Sequence, residues 1–348
     1  MDKKLAMLVA KAAINGDTST WAMNIEGFDW HQGVALYGIY KVFKATGEEE
    51  LRRFLDDWLE RHIGEAYNKR TVNSTCPLLT AACLMSEEAS EKYMDVCKAV
   101  AEYMITDAPI TREGALEHTV AEAVDFKEQM WADTLFMACL FLAKMGTICD
   151  RKYADFAAEQ LRIHIKYLSD VKSGLYFHAW NSAQKSHMSG VHWARANAWV
   201  IYAASEMIKI LKSFNGIEAV KAAAAKHIEA LSRYAGTDGA FCTVLDDRTS
   251  YDEASATAGI IAGIMQAVEI GIVGKEYVPI CKKGMEYIRT VISPDGNVMN
   301  VSTGTPVMKS VEEYKKIPRD RPALYGQGLV CMALCLEDTL DGVFKEGV

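Results

Sequence analysis

The sequence lacks several patterns that mark common functional classes. No apolar stretch reaches the roughly 20 residues that a membrane-spanning helix requires, so we expect no membrane segment. Lysine and arginine are not clustered and the formal net charge is −8, which argues against nucleic acid as a partner. HExxH, Cys-rich ligand sets, glycine-rich phosphate loops and Gly-x-Ser-x-Gly are all missing. We therefore predict neither a metal site nor a cofactor.

The first residues and the cysteines bear on the location of the protein. Residues 1–13 begin like a signal peptide, but Lys11 interrupts the apolar run and no small-residue cleavage site follows. We interpret this segment as an amphipathic helix. The sequence contains nine cysteines, several of them among apolar residues, and an odd number of buried thiols fits a reducing compartment. We predict a cytoplasmic protein, and the oligomeric state stays open.

Helical periodicity dominates the chain, with apolar residues at i, i+3 and i+4 in about twelve segments, the first at 2–14. The later segments alternate between two compositions. Those rich in Ala, Gly, Cys, Met and aromatic residues lie near 30–46, 75–86, 128–146, 193–213, 252–271 and 321–336. Those with many charges on one face lie near 49–67, 88–105, 150–170, 217–234 and 275–293. This alternation predicts an all-α protein, an (α/α)6 barrel of six inner and six outer helices, with residues 1–348 as one domain. A solenoid would need a recurring motif, and none is evident.

Three connectors, at about 106–127, 171–192 and 236–251, are longer than a helical barrel needs. Long loops in a compact domain are usually functional. The second and third contain a glycine turn followed by aromatic or β-branched residues, which favours short strands. We expect these loops to wall a pocket at the mouth of the barrel.

The segment Gln129–Ala138 carries one carboxylate, Asp133, in what we predict to be the middle of a buried helix. A buried carboxylate needs a partner, because removing its charge from water costs several kcal/mol. A structural Asp bonded to backbone donors or to an Arg is an equally good interpretation of such a residue on its own. If Asp133 is catalytic, we expect the apolar residues Met130, Trp131 and Leu135 to raise its pKa.

Aromatic and polar residues near the starts of the inner helices strengthen the catalytic interpretation. Single tryptophans are usually core residues, but a group of them is typical of a cleft that holds sugar rings. Arg195 offers a planar fork that binds a carboxylate through two hydrogen bonds. His178 and His192 could be structural histidines, which is the commoner role of a lone histidine. Five of the seven tryptophans lie in these segments: Trp30 (beside His31), Trp131, Trp180, Trp193 and Trp199.

Four motifs, in order along the chain, resemble those of the unsaturated rhamnogalacturonyl hydrolases. These enzymes are family 105 glycoside hydrolases, related to the family 88 unsaturated glucuronyl hydrolases. The resemblance extends from about Trp30 to Ala333, and it implies an (α/α)6 barrel. The motifs are Trp131–Ala138, Gly174–Trp180, Trp193–Trp199 and Asp252–Ala258.

The resemblance also implies roles for single residues. Asp133 takes the place of the general acid and base, while His178, Trp193 and Arg195 take the places that line the subsite for the unsaturated uronic acid. Some relatives carry a second active-site Asp where this chain has Asn73. An Asn can hydrogen-bond a sugar hydroxyl, but it carries no charge that could raise the pKa of a neighbour.

The substrate implied by the resemblance is a lyase-generated oligosaccharide, often a disaccharide, with a 4,5-unsaturated uronic acid at its non-reducing end. The reaction is hydration of that double bond. Three alternatives stay open at this point: action on glucuronyl fragments, a sugar epimerase with paired base histidines, and a non-catalytic carbohydrate-binding protein. The fold alone does not separate them.

Overall fold

The computed structural model describes residues 1–122 and 126–341, and most of these residues are helical. The inner helices are α2 (Trp30–Thr46), α5 (Pro77–Glu88), α7 (Leu140–Ile148), α9 (Ala194–Leu211), α11 (Ala254–Glu269) and α14 (Leu324–Cys335). The outer helices are α1 (Lys3–Asn15), α3 (Glu49–His62), α6 (Met94–Thr106), α8 (Arg151–Leu168), α10 (Ile217–Ser232) and α12 (Val278–Thr290). Two short helices, α4 (Val72–Thr75) and α13 (Val311–Lys315), lie in connectors, as do two strands, β1 (Gln129–Trp131) and β2 (Ala179–Asn181). Single 3-10 turns form at Ile63–Tyr67, Lys275–Tyr277 and Glu337–Asp341.

The inner helices form a closed ring, because each packs against the next and α14 packs against α2. Each of α3, α6, α8, α10 and α12 covers the inner helix that precedes it, and α1 covers α14. This arrangement confirms the predicted (α/α)6 barrel. Since every inner helix is followed by an outer helix that returns, all six inner helices begin at the same rim.

Burial along the helices follows the two compositions read from the sequence. On the outer helix α3, the buried residues Leu51, Leu55, Trp58 and Leu59 recur at helical spacing, and the other faces are charged. The inner helix α11 is buried on every side from Ala254 to Val268. A helix that is apolar all round is stable only inside the protein, so composition alone assigns each helix to its ring.

The axis of the barrel is filled in two layers. Around Phe136, the rings of Trp199 and Tyr202 lie 4.9 and 5.5 Å away, measured between ring centroids. In the next layer, Glu206 accepts hydrogen bonds from Lys41 at 2.8 Å and from the Tyr37 hydroxyl at 2.6 Å. Burial alone would raise the pKa of Glu206, but the Lys41 ammonium outweighs it and lowers that pKa to about 2. The barrel is therefore closed behind the rim at which the inner helices begin.

The structure corrects the prediction for residues 128–146. Gln129–Trp131 is the strand β1, helical residues begin only at Asp133, and Leu135–Cys139 forms a π-helical turn. Asp133 therefore opens the helix rather than lying in its middle. The strand exists because β1 pairs antiparallel with β2, a contact between distant segments that periodicity does not reveal. β2 lies in the second long connector, as expected, whereas the third has only isolated bridges, such as Cys242 with Asp252.

A further long connector, 291–323, joins α12 to α14 and contains α13. This connector was not among the three that the sequence predicted to be functional. Within the described ranges, no helix combines the length and the apolar character that crossing a membrane would require.

Helices α2 and α14 lie too close together at Gly38 and Gly328 to accommodate a Cβ atom. A Cβ atom on Gly328 would lie 2.3 Å from the Val34 carbonyl oxygen, and one on Gly38 would lie 2.5 Å from the Gly328 oxygen. Gly328→Ala gains up to about 1 kcal/mol of helix propensity. It must also push two backbones apart, so we expect a net loss of about 1–3 kcal/mol of unfolding free energy in urea titrations.

Gly64→Ala is the matched control for this prediction. A Cβ atom there has no neighbour within 4 Å, so the change should leave stability the same or raise it by less than about 1 kcal/mol. A Gly328→Ala protein as stable as the Gly64→Ala protein would mean that the two inner helices separate at no cost.

Candidate active site

A cavity of about 380 Å³ opens at the rim where the inner helices begin. Its volume lies within the range of about 300–1,000 Å³ that is usual for small-molecule sites. It is lined by Trp30, His31, Asn73, His118, Val120, Glu122, Phe126, Trp131, Asp133, Gly304, Thr305 and Pro306. Five of these were predicted site residues: Trp30, His31, Asn73, Trp131 and Asp133.

The strand pair β1–β2 places Asp133 beside His178. Trp131 lies opposite Ala179 in the register, and the Ala132 amide donates to the His178 carbonyl at 3.0 Å. As a result, the His178 Nε2 lies 3.3 Å from the Asp133 Oδ2. Neither atom has a partner in hydrogen-bond geometry among the described residues. The Asp133 side chain is 13% exposed, which is enough for it to reach a ligand in the cavity.

The pKa of Asp133 contradicts the expectation drawn from its apolar neighbours. Burial alone would raise this pKa, but the contact with His178 and the charge of Arg195 outweigh it, and the pKa lies below its usual value. Placement at the first helical residue acts in the same direction, because a helix N-terminus favours a negative charge. Asp133 is therefore a carboxylate in the unliganded protein at neutral pH. The expectation failed because burial does act to raise this pKa but is outweighed by His178 and Arg195, which other segments of the chain bring to Asp133.

One wall of the cavity comes from the first long connector. The His118 imidazole stacks on Trp131, with ring centroids 4.3 Å apart and planes 7° apart, and Phe126 lies 4.6 Å from the same indole. Burial lowers the pKa of His118 to about 4, so this ring is neutral at pH 7. His118 and Phe126 were not predicted individually, although their connector was predicted to be functional. Among the described residues, no three His, Cys, Asp or Glu side chains are grouped to hold a metal ion.

Two helix starts present the remaining predicted lining residues. On α4, Thr71 and Ser74 form a reciprocal capping box, each side chain accepting from the backbone amide of the other. This box holds Asn73 at the cavity, close to the start of α5. On α2, Trp30 stacks on Tyr325 with centroids 4.7 Å apart. The pKa of the adjacent His31 is lowered to about 4, first by burial and then by the charge of Arg195.

Arg195 lies behind the cavity and is not among the lining residues. Its side chain is 1% exposed, and its guanidinium lies over the ring of Trp193 at 4.5 Å and over that of Tyr325 at 4.8 Å. One terminal nitrogen donates to the Ser302 carbonyl at 3.0 Å and hydroxyl at 2.6 Å. The other donates to the Thr303 carbonyl at 3.0 Å and the Thr305 hydroxyl at 3.2 Å. The predicted direct fork is thus corrected: both terminal nitrogens bind the segment that forms the cavity wall.

The predicted cleft of five tryptophans is smaller than expected. Trp30 and Trp131 line the cavity. Trp193 lies behind it, 4.3 Å from the His178 ring, and Trp180 points its indole nitrogen towards Glu113 at 3.4 Å. Trp199 is fully buried in the aromatic layer around Phe136, so it forms part of the barrel core and does not reach the cavity.

The connector 291–323 supplies residues that the sequence analysis missed. Gly304, Thr305 and Pro306 line the cavity, and the Tyr314 hydroxyl lies 2.6 Å from the Nδ1 of His178. No motif marks them. The available signal was the length of the connector, since a segment of about 30 residues between two helices is uncommon unless it serves a function.

Comparison with known proteins agrees with this architecture. The family model described as Glycosyl Hydrolase Family 88 matches residues 6–337. The chain is 34% identical over 306 residues to the unsaturated rhamnogalacturonyl hydrolase YesR of Bacillus subtilis, covering 87% of each protein. It superposes with a TM-score of 0.92 and 30% identity on a possible member of the GH105 family from Salmonella enterica serovar Paratyphi A, covering 98% and 94% of the two chains.

A more distant likeness supports the fold alone. The unsaturated glucuronyl hydrolase of Bacillus sp. GL1, at 14% identity, superposes with a TM-score of 0.74 over 95% of this chain and 93% of that one. The extent of the family match and the identity to YesR decide the family. This chain is a glycoside hydrolase and belongs to the Glycosyl Hydrolase Family 88.

Proposed function

We propose that the protein hydrates the 4,5 double bond of an unsaturated uronic acid at the non-reducing end of a lyase-generated oligosaccharide. The similarity to YesR supports a fragment of rhamnogalacturonan as the substrate. The observation that carries the proposal is Asp133, a carboxylate that lines the cavity and contacts His178. An ordinary glycosidase needs two carboxylates flanking the glycosidic bond. Besides Asp133, the described part of the lining contains the uncharged Asn73 and one further carboxylate, Glu122, which is an exposed residue of the first long connector. Hydration of an enol ether needs only a single group that donates and accepts a proton.

In this reaction Asp133 donates a proton to carbon 4, and the positive charge develops at carbon 5 and on the ring oxygen. Water attacks carbon 5 while the Asp133 carboxylate takes the proton that water loses. The hemiketal so formed opens its ring, and the resulting hemiacetal at carbon 1 releases the neighbouring sugar. Asp133 ends with the proton it started with, and the uronic acid leaves as a keto-aldehyde acid.

Binding of the substrate raises the affinity of Asp133 for a proton. Asp133 is ionised when the cavity is empty, but donation to carbon 4 requires the protonated form. The carboxylate on carbon 5 lies next to carbon 4, so binding brings a second negative charge close to Asp133. A like charge raises the pKa of a carboxyl group. Substrate binding therefore promotes uptake of the proton that the first step consumes.

The cavity can attract an anionic substrate although no cationic side chain among the described residues lines it. Within the described residues, the lining contains no lysine or arginine, and burial lowers the pKa of both His31 and His118 to about 4. The starts of the inner helices surround the rim, and helix N-termini carry partial positive charge and unpaired amide donors. Arg195 adds its charge from behind the Ser302–Thr305 segment.

The location of the protein remains part of the proposal. We propose a cytoplasmic enzyme that receives short oligosaccharides. All nine cysteines are free thiols and most are buried, which supports a reducing compartment.

Loss of the enol-ether absorbance tests the reaction. With unsaturated disaccharides from a lyase digest, the ultraviolet absorbance should fall in step with release of the second sugar. In deuterated water, product sampled at early times should carry one deuterium at carbon 4. The saturated disaccharide with the same linkage should be inert. Release of an uronic acid that keeps its double bond would instead indicate a conventional glycosidase.

Asp133→Asn tests the assignment of the general acid and base. The change keeps the size of the side chain but removes the titratable group, so turnover should fall by at least about 10²–10⁴-fold. Binding of the disaccharide, measured by calorimetry, should persist. Asp155→Asn, at an exposed aspartate on α8 that pairs with Arg151, is the control and should keep full activity. If Asp133→Asn kept a tenth of wild-type turnover, another residue would be the acid.

Arg195→Lys tests whether Arg195 acts through the cavity wall. Lysine keeps the charge but cannot bind the Ser302 and Thr303 carbonyls and the Thr305 hydroxyl with two branches. We expect the KM for the anionic disaccharide to rise about tenfold, with a loss of about 1–3 kcal/mol of unfolding free energy because buried acceptors lose their donor. Arg151→Lys, on the surface of α8, should change neither. An unchanged KM in a destabilised Arg195→Lys protein would reduce Arg195 to a purely structural role.

A further inference from the structure

A chain of three polar side chains runs from α13 to the cavity. The Tyr314 hydroxyl lies 2.6 Å from the Nδ1 of His178, and the Nε2 of the same ring lies 3.3 Å from the Asp133 Oδ2. Tyr314 and His178 are both buried, at 0% and 1% exposure. The two ring nitrogens of His178 therefore face two different groups. The position of the proton on the ring decides whether the Nε2 that faces Asp133 is a hydrogen-bond donor or an acceptor.

The Met308 amide restricts the direction of the first hydrogen bond. The Met308 amide donates to the Tyr314 oxygen at 3.2 Å, so that oxygen already accepts one proton. Burial raises the pKa of Tyr314, which keeps the phenol protonated. Its own proton needs an acceptor, and among the described residues the His178 Nδ1 lies in position to accept it. If Nδ1 accepts, the proton of the neutral ring must be on Nε2.

We propose that Tyr314 is a positioning residue that holds His178 as the Nε2–H tautomer, so that the imidazole presents a donor to Asp133. The role of this donor in turnover rests on the proposed function, whereas the tautomer itself does not. The donor stabilises the carboxylate that forms when Asp133 gives its proton to carbon 4. It also keeps the empty site ionised until the substrate arrives.

The other charged groups around the pair do not provide such a donor. His118 approaches Asp133 from the first long connector and is neutral at pH 7, because burial lowers its pKa to about 4. Arg195, on α9, acts on Asp133 by charge alone, since both of its terminal nitrogens are bound to the Ser302–Thr305 segment. The charge of Glu313, on α13, raises the pKa of Tyr314, and so does the charge of Asp133.

The tautomer is measurable without any substrate. In protein labelled with ¹⁵N-histidine, with the His178 signals assigned by their loss in His178→Gln, we expect a protonated Nε2 and an unprotonated, hydrogen-bonded Nδ1 at neutral pH. Tyr314→Phe should convert His178 to a mixture of tautomers or to Nδ1–H. Ser189 has a buried hydroxyl near Tyr314 that is the other possible acceptor, and Ser189→Ala should leave the wild-type pattern unchanged.

The wild-type spectrum decides the proposal even if Tyr314→Phe fails to fold. A proton on Nδ1 alone, or protons on both nitrogens at neutral pH, would overturn the proposal. Because no turnover is involved, this result is independent of whether the protein hydrates unsaturated uronides.

The pH profile then tests the consequence for turnover. Without the donor, the charged form of Asp133 is less stable, so its pKa rises. Since the first step needs protonated Asp133, the basic limb of kcat/KM should move to higher pH in Tyr314→Phe. We expect kcat to fall about tenfold, because the developing carboxylate loses the Nε2–H that faces it at 3.3 Å, while KM changes less than about threefold.

A purely structural role for Tyr314 would give a different result. Tyr287→Phe removes the hydroxyl of another buried tyrosine, on α12, and should keep the wild-type pH profile. If Tyr314→Phe lowered stability and activity but left the basic limb in place, the positioning role would be refuted. If no variant or wild type turned over unsaturated uronides, the proposed function would fail while the tautomer assignment stood.

Discussion

The mouth of the barrel depends on one buried charge, the guanidinium of Arg195. A buried cation needs hydrogen-bond acceptors and a nearby anion. Both terminal nitrogens of Arg195 bind the Ser302–Thr305 segment and Glu253 lies 3.5 Å away, while the Nε of Arg195 has no partner among the described residues. Glu253 in turn caps α11, accepting from the Ala256 amide, and accepts from the Ser302 amide at 2.8 Å. One network therefore ties α9, α11 and the connector that walls the cavity into a single rigid unit.

This network explains how the site combines an ionised acid with a mostly neutral lining. Arg195 and His178 hold Asp133 as a carboxylate, whereas His31 and His118 stay neutral because burial opposes their protonation. Within the described ranges, the two carboxyl side chains of the lining are those of Asp133 and the exposed Glu122. Trp30, Trp131 and Phe126 supply the aromatic part of the lining that a sugar ring can contact.

Sequence patterns predicted the helices well because their causes are local. For α2 the expected limits, 30–46, are the observed ones, since Asp29 caps its start and Gly47, with a φ of 75°, ends it. Asp133 was identified because an isolated carboxylate in an apolar segment is unusual. Its position at a helix start was not predicted, because that position depends on the pairing of β1 with β2, segments about 50 residues apart.

What the sequence could not provide is the environment of each side chain. Arg195 was predicted to face the substrate. It binds the Ser302–Thr305 segment instead, which lies more than 100 residues later in the chain and about which the Arg195 motif contains no information. The pKa of Asp133 was predicted with the wrong sign for the same reason: His178 reaches it through a strand pair rather than along a helix. Tyr314 and Thr305 belong to a connector without any motif, so only the folded chain brings them to the site.

The closed interior has a consequence for the order of events. Behind the cavity, the ring of Phe136 with Trp199 and Tyr202, followed by the Glu206–Lys41 pair, fills the axis of the barrel. The cavity is thus closed at its inner end and opens at the rim. Whatever enters must enter by a chain end, and both fragments must depart through the same opening before the next molecule arrives. Product still in the cavity therefore competes directly with incoming substrate, and an oligosaccharide of any length loses only its terminal unsaturated residue.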